Sequence, residues 1–254
     1  MKITILGCSG GIGSELRTTA MLVDEDILID AGTGVGDLSI AQLTLVDHIF
    51  VTHSHLDHIT SIPFLLDTVM GRRTQPVMLH AMAETIAALK THIFNWKIWP
   101  DFNAIPDEKQ PLLQYHEIRL GETTTIKGRG ITALPANHVV PAVGYQLDSG
   151  ESSLVFSGDT TSCDAFWQIV NTIENLKYLI IETAFGDSEI ELARISKHLS
   201  PAMLFDELAK LKRPAEIYIT HLKPGEGVEI MHEIGRSFAD PKPKALVNQQ
   251  QFQL

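Results

Sequence analysis

The chain has 254 residues, 44% of them apolar and 20% charged, an ordinary balance for a globular protein long enough to bury a sizeable core. Its formal charge of −11, with no cluster of lysine or arginine, argues against a long nucleic acid as partner, because a phosphate backbone must be met by cations along its length. A small phosphate held by metal ions is not excluded, since the charge of an ion outweighs that of a surface.

No apolar run reaches the length of a membrane span, and two cysteines, Cys8 and Cys163, make no disulfide framework, so a cytoplasmic location is expected. Leu6-Gly7-Cys8 has the form of a lipoprotein cleavage site, but too few residues precede Cys8 for a signal peptide. Ile3 to Leu6 reads instead as a first strand. The glycine-rich turn from Gly7 to Gly13 would need a helix after it to bind a dinucleotide. The next residues read as a hairpin, Thr18 to Val23 and Ile27 to Asp30, so these glycines are expected to let the backbone run close under a site. Asp30 ends its strand, either as a turn residue or as a partner that orients a ligand histidine.

A helix over Leu38 to Leu43 leads to the apolar strand His48 to Val51. Directly behind that strand comes Thr52-His53-Ser54-His55-Leu56-Asp57-His58. A strand that stops and delivers three imidazoles and a carboxylate is a way of aiming ligands at one point. Helical spacing resumes from Ile59 to Met70 with Gly71 as its stop, then a strand from Pro76 to Leu79 and a helix from Ala83 to His92. The aromatic stretch from Ile93 to Phe102 has neither period, and fits a flap, a dimer contact or core.

The middle of the chain is β-rich: Tyr115 to Leu120, Thr124 to Lys127, Gly130 to Leu134, Val143 to Leu147 and Ser153 to Phe156. The last third alternates strands at Tyr178 to Ile181 and Glu216 to Thr220 with helices at Glu189 to Lys197, Pro201 to Lys210 and Val228 to Ile234. From Ala239 onward, with Pro241-Lys242-Pro243, a loosely packed tail is expected. Residues 1–254 read as a single domain with two β-rich halves.

Four more strand ends carry metal-binding or acid–base chemistry: His138, Asp159, Glu182 and His221. With the first cluster they supply five histidines and two aspartates, enough for two ions that share a carboxylate.

In order, His53-Ser54-His55-Leu56-Asp57-His58, then His138, then Ser157-Gly158-Asp159-Thr160, then Thr220-His221, resemble the motifs of the metallo-β-lactamase superfamily. The resemblance implies an α/β (α+β) protein with an αββα four-layer sandwich. It also implies that His53, His55 and His138 hold one ion, that Asp57, His58 and His221 hold the other, and that Asp159 bridges them. No cysteine falls at a ligand position, which disfavours the true β-lactamases that use one.

Within the superfamily, the segments His92 to Pro100, Ser196-Lys197-His198-Leu199-Ser200-Pro201 and Thr220-His221-Leu222-Lys223-Pro224 resemble the class II cyclic-nucleotide phosphodiesterases. The resemblance therefore implies hydrolysis of 3′,5′-cyclic nucleotides to 5′-nucleotides. A more distant relative, tRNase Z, shares the accessory pair seen here as Glu182 and His198. Two divalent ions, zinc first and manganese or iron as alternatives, would activate water and offset charge at the phosphate. They would not protonate the departing ribose oxygen. His198, oriented by Glu182, is the expected general acid, and Asp57 joins these two as a catalytic residue. The expected partner is a small anionic phosphodiester, with neither membrane nor long nucleic acid, and relatives point to a homodimer. The competing readings are an RNA 3′-processing endonuclease and a metal-bound sensor without turnover.

Overall fold

Both faces of the N-terminal strands are apolar. On one face lie Ile3, Ile5, Ile27, Ile29 and Phe50, and on the other Leu6, Leu22, Leu28, Ile49 and Val51, all buried. A sheet apolar on both faces must be covered twice. In the computed structural model of the chain, which describes residues 1–238 and 242–254, one face meets a second sheet and the other meets helices.

The first sheet has the order β14-β1-β2-β3-β4-β5-β6. Its strands are β1 (Lys2–Gly7), β2 (Ala20–Val23), β3 (Ile27–Ile29), β4 (His48–Phe50), β5 (Val77–Ala81), β6 (Leu113–Glu117) and β14 (Gln251–Gln253). The second has the order β13-β12-β11-β10-β9-β8-β7. It comprises β7 (Thr123–Ile126), β8 (Arg129–Pro135), β9 (Val143–Asp148), β10 (Ser153–Phe156), β11 (Leu176–Glu182), β12 (Glu216–Thr220) and β13 (Lys244–Ala245).

Against the first sheet pack α1 (Ile40–Leu45), α3 (Ile62–Val69) and α4 (Ala83–His92), through Leu43, Leu66, Val69 and Leu89. Against the second pack α5 (Asp164–Val170), α7 (Pro201–Leu208) and α8 (Gly227–Ser237), through Trp167, Leu204 and Ile230. Between them α6 (Ile190–Ser196) sets Ala193 in a small cluster with Ala184 and Phe185. Ile131, Tyr145, Phe156 and Ile180 fill the space between the sheets with Phe50. The layers are therefore α, β, β and α. No helix among the described residues is long and apolar enough to cross a membrane.

Each sheet is antiparallel at its start and parallel afterwards. Strands β3 to β6 run parallel in the first sheet, as do β10 to β13 in the second. Parallel strands end together, so the loops that carry side-chain chemistry gather at one edge of the sandwich.

The elements differ from the sequence expectations in four places. The helix expected from Ile59 starts inside the histidine motif, as α2 (Leu56–Ile59), and breaks before α3 because Ser61 donates from its backbone and hydroxyl to Ala31 and Gly32 carbonyls. Helix α5 had no expected counterpart. The tail from Ala239 was expected to be loose; residues 239–241 lie outside the described residues, but β14 pairs with β1, with Phe252 opposite Ile3, and buries Phe252 and Leu254. Finally, the aromatic stretch divides: Phe94 and Phe102 are core, Trp99 lies half-buried against Phe64, and Trp96 is 63% exposed.

Candidate metal centre

Four elements of the second sheet and one of the first aim side chains at the same point. Strand β4 ends at Phe50, and the chain then runs through Thr52 to His53 and into α2, which carries Asp57 and His58. Backbone bonds cross the seam here: Val143 donates to the Thr52 carbonyl at 3.0 Å, and the Tyr145 hydroxyl donates to the Val51 carbonyl at 2.8 Å. His138 follows β8, Asp159 follows β10, Glu182 closes β11 and His221 follows β12.

The seven residues expected as ligands come together in two groups that share one member. His53, His55, His138 and Asp159 form the first, and Asp57, His58, Asp159 and His221 the second, each with its donor atoms within 4.8 Å of one another. Asp159 Oδ2 lies 3.7 Å from His53 Nε2 and 3.3 Å from His58 Nε2, while Oδ1 lies 3.4 Å from His221 Nδ1. His138 Nε2 is 3.2 Å from His55 Nδ1. His55 and Asp57 are the half-buried members, so the centre opens to solvent past them.

This donor set fits cations. His53 Nε2, His58 Nε2 and His221 Nδ1 are buried and have no hydrogen-bond partner, a costly state for a polar atom that a metal bond relieves. Burial holds His53 well below the ordinary histidine range and lowers His138 to about 4 and His221 to about 3, so these imidazoles are neutral donors. His58 differs. Burial disfavours its charge, but Asp159 and Asp30 on its two sides raise it well above the ordinary value, so a cation arriving there displaces a proton.

Hydrogen bonds behind the ligands set their tautomers. His58 Nδ1 donates to Asp30 Oδ2 at 2.7 Å, leaving Nε2 for the centre. Thr52 gives its N–H and its hydroxyl to the same carboxylate, and the hydroxyl oxygen is 3.0 Å from His53 Nδ1. One buried carboxylate thus orients two histidines of these groups, His58 directly and His53 through Thr52. Asp30 is a partner of the ligands rather than only a turn residue, although its φ of +56° does turn the chain. His138 Nδ1 donates to the Lys197 carbonyl at 3.1 Å, and Lys197 Nζ returns to the His138 carbonyl at 3.0 Å.

Lys197 and His221 also have positive φ, +54° and +64°. Such strain gathers where a site fixes the backbone. Gly10 packs beneath His221 so closely that a Cβ there would lie 2.5 Å from its carbonyl oxygen, as the expected close approach requires.

Thr52 and Lys197 were not singled out as site residues from the sequence. The position of Thr52, immediately before a ligand histidine, is the one signal that could have found it. Replacing Asp30 by Ala is expected to lower metal affinity about 10–100-fold, the usual cost of losing an outer partner. Titration with a competing chelator measures it, and unchanged affinity would mean that packing alone holds the two rings.

Glu182 and His198 also meet. Glu182 is fully buried and accepts from His198 Nδ1 at 2.8 Å and from the backbone N–H groups of Thr160 and Leu199. The His198 ring lies 5.1 Å from that of His221 and 4.9 Å from that of His138. Burial opposes protonation of His198, but the Glu182 carboxylate outweighs it and holds the imidazole above its ordinary value. Burial also opposes the charge of Glu182 and raises it above the ordinary carboxylate range. No cysteine enters the centre; Cys8 and Cys163 are free thiols.

An αββα sandwich with two overlapping His/Asp groups at its edge defines the class of metallo-β-lactamase-fold proteins with a centre suited to two ions. Residues 25–241 match the Beta-lactamase superfamily domain, and the chain belongs to that family. A probable 3′,5′-cyclic-nucleotide phosphodiesterase of Yersinia pestis is 23% identical over 278 positions, covering 88% of this chain and 78% of that protein. A ribonuclease Z of Haloarcula marismortui is 30% identical over 159 positions, 59% of this chain and 48% of the ribonuclease. The solved structure of the metallo-beta-lactamase fold protein YhfI from Bacillus subtilis superposes with a TM-score of 0.77 at 18% identity, covering 99% and 98% of the two chains.

Proposed function

We propose that the protein is a metal-dependent phosphodiesterase that hydrolyses 3′,5′-cyclic nucleotides to 5′-nucleotides. The observation that carries the hydrolytic reading is the Glu182–His198 pair beside two overlapping ligand groups, with Nδ1 of His198 held and Nε2 left for a substrate. When bound, two divalent cations supply an activated water and offset the charge of the phosphate. Seven residues would hold them: His53, His55 and His138 for one, Asp57, His58 and His221 for the other, and Asp159 between. Zinc is the expected ion, and manganese or iron suits the same donors.

The chain's own residues do the rest. His58 and His53 are kept in their donor tautomers by Asp30 and Thr52. His198 Nε2 passes its proton to the ribose oxygen as the ester bond breaks, and Glu182 stabilises the geometry of the ring throughout.

A small cyclic diester is favoured over RNA by charge: 31 acidic residues against 20 basic ones offer no cationic track. The ribonuclease Z match keeps a tRNA-processing nuclease as the second reading. Metal-quantified protein assayed on cyclic AMP, cyclic GMP and precursor tRNA separates them. Cleavage of precursor tRNA without hydrolysis of either cyclic nucleotide would overturn the proposal. Inertness even toward bis(p-nitrophenyl) phosphate would leave a sensor without turnover.

A further inference from the structure

We propose that Lys223 is an anion-binding residue of this site, its ammonium taking an oxygen of the substrate's phosphate on the His198 side. The proposal rests on the phosphodiesterase reading. Lys223 follows His221 by two residues, and its backbone N–H donates to the Ala184 carbonyl just beyond Glu182. Its side chain turns back toward the centre. Nζ donates to the Gly10 carbonyl at 3.0 Å and lies 5.6 Å from the ring centroid of Phe185, whose ring is 5.8 Å from that of His198. Gly10 itself lies against the His221 ring, since a Cβ on it would be 3.0 Å from the imidazole Cδ2. The ammonium is therefore flanked by one group that touches a ligand histidine and another that touches the proton donor.

Three other lysines of the chain have a carboxylate partner. Lys127 pairs with Asp26, Lys210 with Glu207 and Asp164, and Lys244 with Glu216. Lys223 is half-buried and makes no ion pair among the described residues. An ammonium has three N–H groups, and a single carbonyl uses one of them. A partly desolvated cation with donors to spare, in a chain rich in carboxylates, calls for an anion that arrives from outside. Phosphate oxygens supply it, and two bound cations and one ammonium would then surround the group on different sides.

The competing role is purely structural, a staple from the loop after β12 to the turn after β1. Lys223→Met and Lys223→Arg, compared with wild type as metal-loaded protein, separate the two. Inorganic phosphate binding is measured by calorimetry, and kcat and KM on bis(p-nitrophenyl) phosphate over a sodium chloride series. Lys223→Met is expected to weaken phosphate binding and raise KM together by about 10- to 100-fold, the range for a hydrogen bond to a charged group. Its salt dependence should flatten, with metal content and Tm held, and Lys223→Arg should recover most of the loss. If Lys223→Met does not fold, Lys223→Gln, which keeps a donor for the Gly10 carbonyl without the charge, takes its place with the same expectation. Unchanged phosphate affinity in a folded, metal-loaded variant overturns the proposal, whether or not Tm falls. Should wild type bind phosphate yet hydrolyse no diester, the phosphodiesterase reading fails, and the calorimetric comparison alone decides the role of Lys223.

Discussion

Asp159→Ala is expected to bring metal content from two ions per chain to fewer than one and to abolish hydrolysis. Asp159 is 2% exposed and is the one residue common to both ligand groups. Its two oxygens divide between His53 and His58 on one side and His221 on the other. Without it, two divalent charges would face Asp57 as their single anionic ligand, and their mutual repulsion would be less offset. Loss of an outer partner alone costs about 10–100-fold in metal affinity, so a shared ligand should cost more than about 10²-fold. His55→Ala, at the half-buried rim, disturbs one group only and should retain the second ion. Elemental analysis of both variants, alongside kcat/KM, makes the comparison. A fully loaded Asp159→Ala protein, or His55→Ala as the more damaging change, would show that the groups do not share a carboxylate in the way their distances indicate.

His198→Ala should leave metal content unchanged and lower kcat on a cyclic nucleotide by roughly 10²–10⁴-fold, the range for a positioned proton donor. The loss should be far smaller on bis(p-nitrophenyl) phosphate, because p-nitrophenolate departs without a proton. A uniform loss on both substrates would mean that the imidazole grips the phosphate as a cation, and no loss on either would leave protonation to solvent. Glu182→Gln should show the same leaving-group dependence in milder form, with a structural cost added. Oε1 of Glu182 accepts from His198 and Thr160, and Oε2 accepts from Leu199. An amide has one oxygen, so a backbone N–H is left facing a donor in a buried place, at about 1–3 kcal/mol. Thermal melts resolve that part from the kinetic one.

The members of the two His/Asp groups were legible in the sequence because each stands at or just beyond the end of an apolar strand, where position in the chain and position in space are nearly the same information. The cover of helices was legible for the same reason, from apolar periodicity. Features that depend on remote contacts were not. Asp30 could be read as a turn residue or as a second partner until its 2.7 Å bond to His58 was seen. Lys197 acts through a backbone carbonyl, which no side-chain pattern reports. Strand β14 is a polar run whose strand character comes from pairing with β1. Helix α2 interrupts the expected order because the ligand loop and the helix start overlap.

The seam at Val51 and Thr52 has a consequence for how activity is gained and lost. Four of the seven residues of the two His/Asp groups follow a strand of the first sheet and three follow strands of the second, and residues more than a hundred positions apart must arrive together. Neither set can assemble a centre by itself, so catalysis would be the last property to appear during refolding and the first to vanish under mild denaturant. Bound cations would act as rivets between the two β-layers, and their removal should lower the cooperativity with which those layers come apart. Hydrogen exchange at Thr52 and Val143, whose amides lie on opposite sides of that joint, would report the rivets directly.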